Sequence, residues 1–238
     1  ATANDFGFRT VVIRSAGKEL LARLLPLAEK YDQRLGYEIH APSGPNAPQI
    51  HAIREMYEEL GSERLGFTAD FSSTMHSLSP RLLRTLSSMG MPEEYFPVMD
   101  EIWRRPQPMH VRNQAFEDFL TEEKFDFARL GPFTRLAFNM HGLVEPEEWL
   151  DIMPQMFHVH AKFYDIDEHG EEPAMDTARI VRQFVKGGYQ GYLSSEWEGH
   201  AFADLGESDP VEQVRQQHAL MRRAIEETAA EANSLTVA

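Results

Sequence analysis

Leu35-Gly36-Tyr37-Glu38 begins the stretch of sequence that decides the fold. After it come a Pro- and Gly-rich segment from Ala41 to Pro48, a helical pattern from Gln49 to Leu60, and the run Leu65-Gly66-Phe67-Thr68-Ala69-Asp70. Two short strands joined by a helix indicate a parallel pair, because a parallel connection needs a crossover of a dozen or more residues. Gly61 follows the helical pattern directly, as a helix-ending glycine does. The stretch therefore predicts a strand–helix–strand unit whose two strands each end on an acidic residue.

The same alternation extends to both sides of this unit. Strand patterns cover Phe8 to Ile13, Phe157 to Tyr164 and Tyr192 to Glu196, and helical patterns cover Lys18 to Lys30, Pro146 to Met153, Asp176 to Lys186 and about Pro210 to Ala230. Five parallel strands are expected, whereas a closed (β/α)8 TIM barrel has eight in about 250 residues. The alternative is an open doubly wound sheet, for which a Gly-rich phosphate-binding fingerprint is expected after a strand but is not found.

We interpret residues 1–238 as one partial TIM-barrel domain of α/β class. The chain begins at Ala1, close to its first strand, so the expectation is a barrel that lacks its N-terminal βα units. Between residues 77 and 156 the strand–helix rhythm is interrupted by Pro92, Pro97, Pro106, Pro108 and Pro132. This stretch predicts a helical insertion over the rim of the barrel, between the strands ending at Asp70 and His160.

Composition excludes several classes of function. The chain has 238 residues and a formal net charge of −15, which disfavours nucleic acid and anionic membranes as partners. It has no cysteine, so a disulfide framework and a thiol nucleophile are both impossible, which fits a cytoplasmic protein. No run approaches the ~20 apolar residues of a membrane span. We therefore expect a soluble cytoplasmic protein.

Four metal-ligating side chains each end a short apolar run: Glu38, Asp70, His160 and Glu196. The carboxyl ends of alternating parallel strands meet at one rim, so these side chains are expected to converge. Three carboxylates and one imidazole suit a hard or borderline divalent cation such as Mn²⁺, Mg²⁺ or Co²⁺. The pattern predicts a single metal site.

Each of these positions also has a simpler interpretation. Glu38 and His40 share one strand face and would then be an exposed pair at a strand end. Asp70 would only cap the following helix. Glu196 would belong to an exposed acidic loop.

The strand around His160 carries a stronger signal. His158, His160 and Lys162 alternate along one strand face, and a packed apolar core does not accommodate three such groups.

The ligand pattern resembles that of the xylose-isomerase-like barrels, which include sugar epimerases and inosose dehydratases. In that superfamily Glu, Asp, His and Glu at the ends of strands five to eight bind Mn²⁺ or a related ion. The resemblance implies that Glu38, Asp70, His160 and Glu196 are the metal ligands of this chain. It also implies that three strand–helix units precede residue 8.

A closer resemblance runs over most of the chain. His158 to Asp167, Glu171-Glu172-Pro173 and Gly187-Gly188-Tyr189 through Phe202 are similar to the catalytic α subunits of bacterial C-glycoside deglycosidases. That family pairs a barrel subunit with a small β-rich subunit and acts on 3-keto-C-glucosides. The resemblance implies a metal-dependent lyase that cleaves the C–C glycosidic bond through an enediolate, within a hetero-oligomer.

Within that reading, His40 is expected to be the base at sugar C2, because it lies two residues from a ligand and imidazole titrates near neutral pH. Glu38 and Glu196 are alternative bases. His158, Lys162 and His200 are expected to hold sugar oxygens or to donate protons.

Two other functions stay open. A divalent-metal-dependent sugar epimerase or isomerase would form the same enediolate and reprotonate it. A non-catalytic barrel would only bind sugar or a partner, although four converging ligands argue against that reading.

Overall fold

The computed structural model describes residues 2–202 and 208–236. Five strands carry the fold: β1 (Thr10–Ile13), β2 (Arg34–Ile39), β3 (Leu65–Asp70), β4 (Met156–Phe163) and β5 (Leu193–Trp197). The helices are α1 (Lys18–Lys30), α2 (Pro48–Leu60), α3 (Pro80–Ser88), α4 (Phe96–Trp103), α5 (Met109–Glu122), α6 (Gly131–Asn139), α7 (Thr177–Lys186) and α8 (Pro210–Thr236). A helical turn at Thr2–Asp5 and 3-10 turns at Phe71–Ser73, Glu93–Tyr95, Pro146–Gln155 and Gly199–Phe202 complete the elements of the described residues.

The strands form one open parallel sheet, in the order β1-β2-β3-β4-β5. The expected TIM barrel is therefore wrong: within residues 2–202 and 208–236, β1 and β5 are the two edges and do not pair with each other. Closure into a barrel takes eight strands whose tilt and stagger bring the last against the first. The pattern of apolar residues predicts parallel strands but carries no information on closure.

The two faces of the sheet differ in chemistry. Phe67, Ala69, Val159 and Ala161 are fully buried on one face, and the ring centroid of Phe67 lies 5.4 Å from that of Tyr57 on α2. Side chains alternate along a strand, so the intervening positions project from the opposite face. Those positions include the predicted site residues, and the sheet thus presents an apolar face to its helices and a polar face to the site.

Helices α3 to α6 occupy the chain between β3 and β4, with Trp103, Phe116 and Phe138 in their core. The helix expected from Pro146 to Met153 is a 3-10 turn instead, which runs to Gln155. Pro154 lies inside this turn and has no backbone N–H to donate to a helical bond.

The end of this helical segment pairs with the loop after β3. Gly142 donates its backbone N–H to Ser72 O at 2.8 Å, and Val144 donates to Ser73 O at 2.9 Å. Trp149 donates its indole N–H to the Thr74 hydroxyl at 2.9 Å. We call residues 141–149 the strap, because they hold the loop that follows Asp70.

No helix among residues 2–202 and 208–236 combines the length and the apolar character that a membrane crossing requires.

Candidate functional site

Glu38, Asp70, His160 and Glu196 come together at the carboxyl ends of four neighbouring strands. One ligand atom from each of them can be chosen so that all four atoms lie within 4.8 Å of one another. We call these residues the four-residue cluster. The structure thus places side chains that are far apart in sequence around one point, as the strand-end pattern predicted.

The register of the strands explains the convergence. Asp70 on β3 is the neighbour of His160 on β4, and Lys162 on β4 is the neighbour of Glu196 on β5. Glu38 lies beside Thr68, two residues before Asp70 on the same face. Parallel pairing in this register brings the four side chains together at the carboxyl ends of the strands.

Glu38 holds one cation on each carboxylate oxygen. His160 Nδ1 lies 2.7 Å from Glu38 Oε1, and Arg14 Nε lies 2.6 Å from Glu38 Oε2. Burial raises the pKa of this carboxyl, but the hydrogen bond from His160 and the charge of Arg14 outweigh it and hold the pKa at about 2. The hydrogen bond to Glu38 in turn raises the pKa of His160, although burial opposes it. An exposed strand-end pair is therefore wrong for Glu38, whose side chain is buried.

Asp70 uses its two oxygens differently. Oδ1 accepts the backbone N–H of Ser72 at 2.8 Å and so caps the 3-10 turn that follows β3. Oδ2 lies 3.0 Å from Lys162 Nζ. Asp70 thus caps the turn, as its simpler interpretation predicted, and it also lies in the four-residue cluster, while its role as a metal ligand stays a prediction.

Lys162 is a buried cation among carboxylates. Its Nζ lies 3.7 Å from Glu196 Oε2 and 3.5 Å from Glu198 Oε2. Burial lowers its pKa, yet the charges of Asp70, Glu196 and Glu198 together raise it above its usual value. The ammonium group therefore stays charged at neutral pH.

The tautomer of His40 follows from its contacts. Nδ1 lies 2.8 Å from Ala41 O, and a carbonyl oxygen only accepts, so Nδ1 carries the hydrogen. Nε2 is then an acceptor, and it lies 3.0 Å from Lys162 Nζ. The basic nitrogen of His40 faces the cluster.

The pKa of Glu196 is raised, mainly by burial, with Lys162 lowering it and Asp70 raising it further. Its Oε2 is buried and has no hydrogen-bond partner among the described residues. His160 Nδ1 is 3.4 Å away from this oxygen. A buried carboxylate oxygen in this state is available to a cation.

Two predicted residues lie away from the cluster. His158 is half-buried and lies two residues before His160 on β4, with the two ring centroids 5.4 Å apart. Burial lowers the pKa of His158. His200 is exposed on a 3-10 turn, where its ring lies against Trp197 at 5.8 Å. No hydrogen bond or ion pair of the described chain joins His200 to the cluster.

The sequence analysis assigned no site role to Arg14 or Glu198. Arg14 immediately follows β1, and Glu198 lies two residues after Glu196. Like the other site residues, both lie at or just beyond the carboxyl end of a strand. This shared position is the signal that could have identified them.

The donor set fits a divalent cation. Three carboxylates and an imidazole match the ligands of Mn²⁺, Mg²⁺ and Co²⁺, and the buried Oε2 of Glu196, which lacks a hydrogen-bond partner, is a ready ligand. Nδ1 of His160 would have to lose its hydrogen to bind a metal, so metal binding would release a proton from the Glu38–His160 pair.

Comparison with known proteins gives several relatives, although no family model matches the chain. The C-glycoside deglycosidase alpha subunit of Arthrobacter globiformis is 79% identical over 226 residues, which cover 95% of this chain and 64% of that protein. The 3'-dehydrocarminate deglycosidase alpha subunit of a Microbacterium species is 40% identical over 245 residues, which cover 97% of this chain and 68% of that protein.

The C-glycoside deglycosidase alpha subunit of Microbacterium trichothecenolyticum is 34% identical over 193 residues, which cover 74% of this chain and 50% of that protein. The chain spans about two thirds of the length of the first two relatives and half of this one. Identities of 79% and 40% over nearly the whole chain exceed what a shared fold alone explains. The chain belongs to the family of deglycosidase alpha subunits, which includes the C-glycoside deglycosidases.

Proposed function

We propose that this protein cleaves the C–C glycosidic bond of 3-keto-C-glycosides with the help of a divalent cation, by elimination of the aglycone. The observation that carries the proposal is the convergence of Glu38, Asp70, His160 and Glu196 in a chain whose relatives are named deglycosidase subunits. These four residues would hold Mn²⁺, or Mg²⁺ or Co²⁺. Bound there, the ion would act as a Lewis acid toward oxygens of the 3-keto sugar.

A ketone at sugar C3 acidifies the hydrogen at C2, so the first step is a proton abstraction. His40 is the base that the geometry favours, because its Nε2 is unprotonated and faces the cluster. Glu38 is less suited, since its pKa is about 2. Glu196 remains the second candidate, because burial raises its pKa.

The leaving carbon of the aglycone must gain a proton as its bond to sugar C1 breaks. A phenol on the ring lets that carbon take the proton first, through its keto tautomer, so the electron pair of the broken bond returns to the ring and no free aryl anion forms. The electrons of the enediolate make the double bond between sugar C1 and C2, and the proton removed from C2 balances the one that the aromatic carbon gains. Lys162 is a charged N–H donor within the site and is 3.0 Å from His40 Nε2. It supports the developing negative charge on the sugar oxygens as a fixed, buried cation.

The partner is part of the proposal. The relatives are named alpha subunits, a name that implies a second subunit. We propose a hetero-oligomer with a small β-rich subunit that contacts the helical segment or the site edge. An interface of this kind should bury more than about 1,000 Å² in total.

One assay tests the function against its alternatives. The protein, co-expressed with its partner subunit and loaded with Mn²⁺, is incubated with an oxidised C-glycoside and, separately, with ketohexoses. Free aglycone supports the proposal. An epimerised or isomerised sugar would favour the epimerase or isomerase, and binding without any product would favour a non-catalytic role.

A His40→Gln variant sharpens the result. We expect turnover of the oxidised C-glycoside to fall by about 10²- to 10⁴-fold, the usual contribution of a general base. His51→Gln is the matched control, because His51 lies on α2, away from the cluster. Full activity in His40→Gln would transfer the role of base to Glu196.

A further inference from the structure

A cavity of about 250 Å³ lies beside the four-residue cluster, between the carboxyl ends of β1 and β2. Arg14, Glu38, His40, Ser43 and Gln49 contribute to its lining. Two of these residues, Glu38 and His40, also belong to the proposed reaction site, so the cavity is continuous with it. The proposed mechanism assigns no role to the other three.

Arg14 presents unused donors to this cavity. Its Nε lies 2.6 Å from Glu38 Oε2, and no hydrogen bond joins its two terminal nitrogens to the described residues. The side chain is 74% exposed, so these nitrogens are open to a ligand. A guanidinium group has five N–H donors, so its terminal nitrogens can donate to a second anion while Nε stays close to Glu38.

The rest of the lining is polar and complements Arg14. Gln49 Nε2 donates to Ser43 Oγ at 2.7 Å, which leaves the hydroxyl hydrogen of Ser43 available to an acceptor. Arg14 is the only one of the cavity's lining residues with a fixed positive charge, and Glu38, the one carboxylate of the lining, already faces Arg14 and His160 with its two oxygens. The cavity therefore offers N–H and O–H donors together with one cation, which is the chemistry of an oxyanion site.

We propose that this cavity binds a negatively charged oxygen of the aromatic aglycone, and that Arg14 determines specificity for aglycones with an acidic phenol. This inference rests on the proposed function, because it needs the sugar to lie at the cluster and the aglycone beside it. The hydroxyls of the sugar stay neutral, whereas a phenol next to an arginine ionises more readily. The same oxygen regains its negative charge when the electron pair of the broken bond returns to the ring of the keto tautomer.

Binding of two matched probes tests the subsite without turnover. The probes are an unoxidised aryl C-glucoside with a phenol next to the glycosidic carbon, and the same compound with hydrogen in place of that hydroxyl. Affinities are measured by calorimetry at saturating Mn²⁺ on the complex of the protein with its partner subunit. We expect Arg14→Gln to weaken binding of the phenolic probe about tenfold or more, and Arg14→Lys to restore part of it.

The ratio between the two probes separates this role from a general disturbance of Glu38. A change at Glu38 would weaken both probes alike, whereas loss of the oxyanion contact affects the phenolic probe alone. Arg9→Gln is the control, because Arg9 precedes the same strand at its other end. Equal losses for both probes in Arg14→Gln, or no binding of either probe to the unmodified protein, would overturn the proposal.

Turnover of the oxidised phenolic C-glycoside, measured in parallel, distinguishes the two proposals. Absence of turnover with intact, Arg14-dependent discrimination refutes the reaction and keeps the subsite. Turnover with equal probe losses refutes the subsite and keeps the reaction.

Discussion

The two ends of the parallel sheet both carry ionic clusters, but only one of them is buried. At the amino ends, Asp32 binds Arg9 at 2.6 Å and Arg64 at 2.7 Å, and the Asp32 and Arg9 side chains are 67% and 72% exposed. At the carboxyl ends, Asp70 and Lys162 are 3.0 Å apart, and their side chains are 0% and 2% exposed. Charge at the strand ends is thus common to both ends of the sheet, and burial of that charge distinguishes the carboxyl end, where the proposed site lies.

The charge balance of the two ends differs as well. Asp32 is one acid between two arginines, whereas Asp70, Glu196 and Glu198 share a single lysine at the other end. Buried charges are costly unless they are paired or bind a metal. The excess of buried and partly buried carboxylates is a physical reason to expect a cation at the carboxyl end and none at the amino end.

The largest expected effect comes from removing one ligand charge. Glu196→Gln and His160→Ala should lower turnover on the order of 10³-fold or more, because a bound metal contributes several kcal/mol to transition-state stabilisation. Manganese affinity, followed by electron paramagnetic resonance, should fall with it. Asp32→Asn is the control at the opposite end and should leave both quantities unchanged. Full activity in Glu196→Gln would exclude that carboxylate as a ligand.

Lys162→Met tests the buried cation itself. Removing one partner of a buried ion pair leaves uncompensated carboxylates and should cost about 3–5 kcal/mol in the free energy of unfolding. Urea denaturation of the chelator-treated protein measures this loss, and added Mn²⁺ should recover part of it.

Arg64→Met is the matched change in the exposed cluster, and its denaturation midpoint should stay nearly constant. Equal effects of the two substitutions would show that burial does not distinguish the two ends.

The smallest expected effect is on stability and concerns Glu172, a buried acid in the segment that follows β4. Its oxygens accept the backbone N–H groups of Tyr164, Asp165 and Ala174. Burial raises its pKa to about 7, although these hydrogen bonds oppose the rise. The folded protein therefore holds this proton more tightly than the unfolded chain does.

Stability contributed by the protonated Glu172 should be complete below about pH 4.5 and should be lost as the pH rises through about 7. The loss should be at most about 3 kcal/mol, since one pKa unit corresponds to about 1.4 kcal/mol. The difference in unfolding free energy between the unmodified protein and Glu172→Gln should fall over this range and then level off. Glu171→Gln, at the exposed neighbour paired with Arg223, should show no such slope. A flat difference for Glu172→Gln would contradict the raised pKa.

The sequence predicted those features that depend on local periodicity. Helix α1 has the expected bounds, Lys18–Lys30, and all five strands lie where alternation placed them. Because parallel strands end at one edge, the convergence of Glu38, Asp70, His160 and Glu196 followed from the same pattern.

Other features depend on long-range geometry and could not be predicted in this way. The eight-stranded closure was wrong because closure depends on strand number and tilt, which no local pattern encodes. Arg14 was missed because an arginine at a strand end is usually a solvated side chain, and only its 2.6 Å contact with Glu38 shows otherwise. The direction of the His40 ring likewise depends on Ala41 O, a backbone atom that the sequence pattern does not orient.

The strap has a consequence for directed evolution. A β-carbon added at Gly142 would lie 2.7 Å from the Cα of Ser73, so any side chain there would displace the loop whose Ser72 N–H holds Asp70. Random libraries that cover the helical segment will therefore lose activity at this position. Exposed positions on α5, such as Val111, make no comparable contact with that loop. A library that varies the lining of the proposed aglycone cavity, at positions such as Ser43 and Gln49, should therefore keep Gly142 fixed.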